Sequence, residues 1–248
     1  RHRWYSFLKM QKKVAPYIKR IITPSKSSKQ GIVDEFNCNK ANITVINNGI
    51  DTNEFSPVNE VTRNKFRLIT TASADVPLKG LDFSLKALKK LKKDFPNMHL
   101  IVIGLIKKGG HTEKLIKKLG LENDVTFKSN LTKNEIKDCY SKSSIAIVSS
   151  LYEGFGYPVI EAMSCEVPLI ATNVSSIPEL TSEFAKLVDP KNEEMIYQSV
   201  KDILAEYDKY KKIAIKGRQH VIKNFNWIKI TGEYENAIFE TIKNFKKC

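Results

Sequence analysis

The chain has 248 residues, and 42% of them are hydrophobic, which is enough for a sizeable core and too many for a disordered segment. Lys and Arg number 41 against 27 Asp and Glu, a formal charge of +14 that favours acidic partners: phosphorylated substrates, anionic lipid or nucleic acid. No apolar run approaches the ~20 residues of a membrane-spanning helix, and no apolar leader follows Arg1-His2-Arg3-Trp4.

An opening without Met suggests that a segment precedes this chain. The four cysteines, Cys38, Cys139, Cys165 and Cys248, form no CxxC and no metal-ligand spacing. Scattered single thiols fit a reducing, cytoplasmic setting. Two lysine clusters stand out. One is Lys86, Lys89, Lys90, Lys92 and Lys93; the other is Lys107, Lys108, Lys114, Lys117 and Lys118. No aromatic residues interleave with them, which argues against a single-strand stacking platform. Solvated helix faces are the plainer account.

In chain order, Ile18–Thr23 reads as a strand. Ser25 then stands as a helix N-cap, with the helix running to about Phe36. Ile43–Ile46 is a second strand and Asn47-Asn48-Gly49 a turn. Asp51–Asn64, with Pro57, has no periodicity and reads as a linker. A second strand–helix series follows. Strands are expected at Phe66–Ala72, Leu100–Ile103, Val125–Phe127, Ile145–Val148, Leu169–Ala171 and Leu187–Val188. Helices are expected at Leu81–Phe95, Thr112–Leu119 (Gly120 ending it), Lys133–Lys142 and Pro158–Cys165, then at about 193–206 and 208–224, and finally at Trp227–Lys246. Apolar strands alternating with helices imply a Rossmann-like α/β fold, a parallel sheet with helices on both faces. Its ligand crevice lies beyond the carboxyl ends of the strands.

The richest post-strand segment is Ser149-Ser150-Leu151-Tyr152-Glu153-Gly154-Phe155-Gly156-Tyr157-Pro158-Val159-Ile160-Glu161. Gly154 and Gly156 permit a tight turn and close approach to a ligand, and the helix after them offers N–H groups to an anion. Glu161 has two acceptor oxygens for a pair of sugar hydroxyls. On residues alone, a second account stays open: Glu161 complements the helix dipole and the glycines merely turn the chain. A dinucleotide fingerprint is absent, because Val159 stands where its third glycine would be.

Glu153 to Glu161, E-G-F-G-Y-P-V-I-E, resembles the E-x7-E signature of retaining glycosyltransferases of family 4. Other motifs agree in order. Asn48-Gly49-Ile50-Asp51 with Phe55 resembles the family's segment leading into the donor-binding domain, and Lys79-Gly80 resembles its KG pair. Glu161-Ala162-Met163 with Pro168-Leu169-Ile170-Ala171-Thr172, and then Pro178-Glu179, resemble the later motifs. The likeness runs from about Ile18 to the end of the chain.

The resemblance implies the GT-B architecture, two Rossmann-like domains facing across a cleft, with this chain supplying the donor-binding domain and a remnant of the amino-terminal one. Residues 1–60 would be the end of the acceptor-side domain and linker, 61–225 the nucleotide-sugar domain, and 226–248 a helix returning to the first. It implies transfer of a hexose from a UDP-, GDP- or ADP-sugar to a glycan, lipid or small-molecule hydroxyl, with retention, no metal and no other cofactor. The amino-terminal domain usually supplies the acceptor site, so a fragment lacking most of it is expected to bind donor without transferring.

By the same resemblance, Lys79 pairs with the diphosphate beside Gly80 and Ser73. Glu161 holds the ribose, and Glu153 sits by the donor sugar. The N–H groups of Phe155, Gly156 and Tyr157, after Gly154, contact sugar or phosphate, and Asn130-Leu131 lies near the base. The catalytic pair is thus Glu153 and Lys79. Three departures bear on the pocket. Ser73 stands where the family has an arginine, which leaves the clamp weaker or completed by Lys107 or Lys108. Glu166 replaces a frequent glycine, and Ser175-Ser176 replaces a Gly-Gly.

His2, His99, His111 and His220 show no zinc-hydrolase spacing; His111, after Lys108-Gly109-Gly110, reads as an exposed loop histidine, with a place near the crevice as the alternative. Two other readings remain: a non-catalytic module that binds nucleotide or an acidic partner, and a nucleic-acid binder. The second lacks a helix-turn-helix or RNP signature, so no nucleic-acid partner is expected. A lipid acceptor would instead place this basic chain on an anionic membrane surface.

Overall fold

The computed structural model describes residues 2–245 apart from 59, 60 and 74. The chain begins with α1 (His2–Val14), a 3-10 turn at Ala15–Tyr17, β1 (Ile21–Thr23), α2 (Lys26–Phe36) and β2 (Ile43–Val45). β1 and β2 pair in parallel as a small separate sheet, Ile21 opposite Ile43. Then come β3 (Asn64–Thr71), α3 (Leu81–Asp94), β4 (His99–Ile103), α4 (His111–Leu119), β5 (Val125–Lys128) and α5 (Lys133–Ser141). β6 (Ser143–Val148), α6 (Tyr157–Ser164), β7 (Leu169–Thr172), α7 (Ile177–Thr181) and β8 (Lys186–Val188) follow, with α8 (Glu193–Ala205), α9 (Tyr207–Phe225) and α10 (Trp227–Phe245) at the end.

The second series forms a six-stranded parallel sheet in the order β5-β4-β3-β6-β7-β8. The sheet grows one way from β3 and the other way from β6. Loops leaving these two neighbours therefore diverge to opposite faces and open a crevice between them. The strands bury alternate residues on both faces. Leu68, Leu100, Val102, Ile145 and Ile147 pack with Leu85, Leu88, Leu91, Val200 and Ile203 of α3 and α8. Ile69, Ile101, Ala146 and Val148 pack with Val159, Ile160, Met163 and Val221 of α6 and α9. This is the expected Rossmann-like α/β fold.

Local signals place the elements. Ser25 Oγ accepts from Ser28 N at the start of α2, Thr132 and Glu135 form a reciprocal capping box on α5, and Gly120 ends α4 at φ +64°. Two helices were not expected. α1 shows apolar Phe7, Met10 and Val14 at helical spacing, yet these remain half exposed, and their signal is diluted by Lys9, Lys12 and Lys13. α7 is a single turn with Pro178 in its first positions. The first strand starts at Ile21 rather than Ile18, because the turn through Pro16 ends only at Tyr17 and the pairing begins at Ile21. Arg1, Ala74, Lys246 and Cys248 lie outside the described residues.

Side-chain bonds to distant carbonyls fasten the stretch between the two sheets. Arg63 donates to the carbonyls of Tyr140 and Ser143 at 2.9 Å each, of Cys165 at 2.8 Å and of Glu166 at 3.1 Å. Arg218 donates to the carbonyls of Thr52 (3.1 Å), Phe55 (3.0 Å) and Ser164 (2.5 Å). Ile50 N donates to Phe225 O at 2.7 Å, and Gly49 lies flat against the Trp227 indole, where a Cβ would meet the ring at 2.5 Å. α10 lays Ile230, Tyr234 and Ala237 against Ile22 of β1 and Ile46 just past β2, and Arg20 pairs with Glu240 at 2.8 Å.

Candidate functional site

The chain leaves β3 through exposed Ser73 into a 3-10 turn at Pro77–Lys79. Gly80 follows at φ +62°, where a Cβ would stand 1.9 Å from Ser149 O. No other residue type fits that approach without moving a backbone. Leu151 N donates to Leu78 O at 2.7 Å, and Ser149 Oγ donates to Gly80 O at 2.9 Å. The loops after β3 and β6 are thereby laced together, and the backbone that carries Lys79 is fixed.

Lys79 Nζ lies 2.7 Å from Glu153 Oε1. Ser150 Oγ donates to the same oxygen at 2.7 Å. Glu153 is 9% exposed, and its backbone is held as well: its N–H donates to Ser175 Oγ at 3.1 Å, and Ser176 Oγ donates to its carbonyl at 2.9 Å. Ser25 Oγ and Ser28 Oγ, at the start of α2, both donate to Gly154 O (2.7 and 3.0 Å). Glu179 in turn accepts from the N–H groups of Lys26 and Ser27 at 3.0 and 3.1 Å, a carboxylate at the positive end of a helix. The small sheet's helix thus touches the E-x7-E loop directly.

Gly156 adopts φ +109° and opens α6. The Phe155 ring is buried and meets Tyr157 and Phe225 edge-on, with centroids 5.4 and 6.1 Å away. Only its backbone is therefore available to a ligand, whereas Tyr157 is 41% exposed.

One turn into α6, Glu161 Oε2 accepts from Tyr140 OH at 3.1 Å, and that hydroxyl lies 3.0 Å from Thr71 Oγ1 at the end of β3. Burial pushes the Glu161 carboxyl above the usual range, and the Tyr140 bond offsets part of the rise. Glu161 borders a hollow of ≈ 390 Å³ with Tyr157, Ile136, Lys133 and Trp227. Gly80 borders another of ≈ 280 Å³ with Asp75, Asp82, His111 and Leu151. The structure joins Lys79 to Glu153 and Glu161 to Tyr140, and both pairs sit where the strand order reverses.

Asn130 is exposed at φ +56°, and Leu131 packs into the core beside it. Lys107 and Lys108 are exposed on the loop after β4. His111 Nε2 lies 2.7 Å from Asp82 Oδ2 at the rim of the second hollow. Glu166 does not border the site: it has φ +55° and lies at the far end of α6, its carbonyl held by Arg63 with Ser143 at the amino end of β6. A left-handed backbone is the conformation that glycine adopts most readily. Ser175, also left-handed at φ +46°, does belong to the site through Glu153. In the lysine clusters, Lys90 pairs with Glu194 on the surface and Lys92 with Asp124 in a largely buried pair, each at 2.6 Å. Among the described residues, no group of three or more His, Cys, Asp and Glu is placed to hold a metal ion, and no helix is long and apolar enough to cross a membrane.

Sequence reasoning missed Tyr140 and Thr71, and it gave Ser150, Ser25 and Ser28 no role at the site. Ser175-Ser176 stood out only as a departure from a Gly-Gly.

The family model for glycosyl transferases group 1 matches residues 52–220. The chain is 32% identical over 243 residues to MMP alpha-(1->4)-mannosyltransferase of Mycolicibacterium hassiacum, covering 95% of this chain and 58% of that protein. It therefore spans little more than half the length of that relative. Among solved structures, a glycosyltransferase from Rickettsia africae superposes with a TM-score of 0.81 at 25% identity, over 96% of this chain and 68% of the other. HepE of Anabaena, solved in complex with UDP-glucose, superposes with a TM-score of 0.84 at 19% identity, over 95% and 68%.

Proposed function

The chain belongs to the glycosyl transferases group 1, and from that premise we propose that it carries the donor-binding part of an enzyme transferring a hexose from a nucleotide diphosphate sugar to an acceptor hydroxyl. Retention of anomeric configuration and independence from metal are part of the proposal. So is the division near residues 60 and 225 into an acceptor-side end, a donor domain and a returning helix. The observation that carries it is the Lys79–Glu153 pair at 2.7 Å, held beyond the carboxyl ends of β3 and β6 where a doubly wound sheet binds its ligand.

As the anomeric bond breaks, positive charge grows on the sugar and negative charge on the leaving diphosphate. Lys79 is a point charge suited to the diphosphate, and the N–H groups that open α6 add a fixed dipole. Both act more strongly on the leaving group than on the intact donor, and that difference accelerates the reaction. Glu161 grips the ribose with its second oxygen. Glu153 lies beside the sugar and stabilises the charge developing there. Attack from the face of the departing diphosphate needs no protein nucleophile, and Lys79 with the amides supplies the charge a metal would otherwise bring.

A thermal-shift screen of UDP, GDP, ADP and their sugars identifies the donor, because a ligand that binds only the folded chain raises its Tm. Mannosyl and glucosyl donors come first, since one relative is named a mannosyltransferase and one structural neighbour holds UDP-glucose. Proton NMR of the product, with and without EDTA, then reads anomeric configuration and metal dependence. No stabilisation by any nucleotide would overturn the proposal. Binding without turnover by the full-length protein would leave a recruiting module instead. Docking on an anionic leaflet, which the +14 charge favours, is read by co-sedimentation with phosphatidylserine vesicles against phosphatidylcholine ones.

A further inference from the structure

Tyr140 is 1% exposed, among the largest fully buried side chains of the protein, yet it ends in a polar group. A buried hydroxyl needs partners, and this one has two from different elements: Thr71 Oγ1 of β3 at 3.0 Å and Glu161 Oε2 of α6 at 3.1 Å. Glu161 gives the Tyr140 proton an acceptor, and the bond fixes one carboxyl oxygen. The remaining oxygen is left for the hollow that Glu161 borders.

Resting on the reading of Glu161 as the ribose-gripping group, we propose that Tyr140 is the positioning residue of that grip: its hydroxyl, bridged between Thr71 and Glu161, sets the carboxylate's rotamer for the ribose diol of a nucleoside diphosphate. Two physical effects combine. A carboxylate on a short helix has several rotamers, and each one frozen before the ligand arrives lowers the entropic cost of binding. A donor bond to one oxygen also stabilises the charged form against burial, and only the charged form accepts from both ribose hydroxyls.

The groups facing Glu161 are few. Tyr140 and Lys133 come from α5, Tyr157 from α6 and Cys165 from the residue just past its end. Asp51 and Glu54 come from the linker, and Lys133 is already paired with Glu54 at 2.7 Å. Tyr157 and Cys165 are pushed upward by burial, Cys165 to about 12, so both stay neutral near pH 7. Tyr140 is the side chain whose hydroxyl donates to Glu161, at 3.1 Å.

The test compares the unaltered chain with Tyr140→Phe, Thr71→Val and Glu161→Gln by calorimetry, using UDP, GDP and ADP and their 2′,3′-dideoxy forms across pH 5–9. Tyr140→Phe keeps the ring and its packing. It is expected to weaken nucleoside diphosphate binding about tenfold, the scale of a bond to a charged group, and to move the midpoint of the pH dependence upward. Thr71→Val should act in the same direction with smaller size. Neither variant should alter affinity for the dideoxy forms, and Tyr140→Phe should add nothing in a Glu161→Gln background. Infrared titration of the Glu161 carboxyl in the ligand-free protein, by difference from Glu161→Gln, should show a higher midpoint in Tyr140→Phe. Loss of binding in Glu161→Gln with unchanged affinity and midpoint in Tyr140→Phe would overturn the proposal alone. Full binding by Glu161→Gln would overturn the ribose reading, and the proposal with it.

Discussion

The Lys79 ammonium lies 2.7 Å from Glu153 Oε1 and spans the loops that leave β3 and β6. The side chain assigned to the diphosphate is therefore already occupied by an internal anion. A nucleoside diphosphate has to displace that carboxylate, or share the ammonium with it. Glu153→Gln removes the competitor and its charge while keeping the shape. Calorimetry should find UDP or GDP binding tightened about threefold, the scale of a modest electrostatic gain, while sugar transfer by the full-length protein falls. Lys79→Ala leaves Glu153 buried without its cation, and nucleotide binding should weaken at least about tenfold. Equal affinity in all three proteins would detach Lys79 from the diphosphate.

Gly80 and Gly154 look alike in the sequence but differ in what surrounds them. A Cβ on Gly80 would stand 1.9 Å from Ser149 O, at φ +62°. At Gly154 the nearest atom would be Ser28 Oγ at 3.8 Å, an ordinary contact. Gly80→Ala should therefore cost about 2–4 kcal/mol in urea unfolding and loosen the turn that carries Lys79. Gly154→Ala should stay within about 1 kcal/mol. Similar losses in the two variants would contradict the close packing of the two loops.

This contrast marks the limit of what the sequence discloses. The order of strands and helices was legible because apolar periodicity is local: Leu81, Leu85, Leu88 and Leu91 bury one stripe of α3 wherever that helix sits. The E-x7-E loop was legible because its glycines and proline are local too. Ser175, Ser176, Tyr140 and Thr71 were not, because each acts on a residue 21 to 69 positions away, and a lone hydroxyl carries no periodic signal. α1 hid for a different reason. Phe7, Met10 and Val14 stay half exposed, so their stripe has little burial to declare.

Arg63 and Arg218 are a second class of long-range contact, and they bear on stability rather than on the site. Arg63 satisfies four carbonyls, those of Tyr140, Ser143, Cys165 and Glu166, and burial lowers its readiness to stay charged. Arg63→Met would strand those acceptors, with an expected loss of about 2–4 kcal/mol in chemical denaturation. Lys12–Glu35, at 3.1 Å, links α1 to α2 with side chains 51% and 70% exposed. Glu35→Ala should fall within about 0.5 kcal/mol of the unaltered chain. The reverse ranking would mean that the interior carbonyls find other donors once Arg63 is gone.

Glu161 sets binding against stability, and the sign can be worked out. Burial raises its carboxyl above the ordinary value of 4.5. Between that value and the raised one, the folded chain holds a proton that the unfolded chain has released, so stability falls as pH rises through this window. The contribution is present in full below the ordinary value and lost above the raised one, where the folded protein carries a buried anion. Glu161→Gln removes that anion while its carbonyl can still accept from Tyr140 OH. Its Tm should therefore exceed that of the unaltered chain at pH 7.5 by about 2–4 °C, and the gap should narrow as pH falls toward the ordinary carboxylate range. Nucleotide affinity should drop in the same variant. A group kept at a cost to folding and needed for a ligand marks a functional site. Thermal unfolding at stepped pH decides the point: a Glu161→Gln protein less stable at neutral pH would make the carboxylate a structural element of α6, held for the fold and not for the ribose.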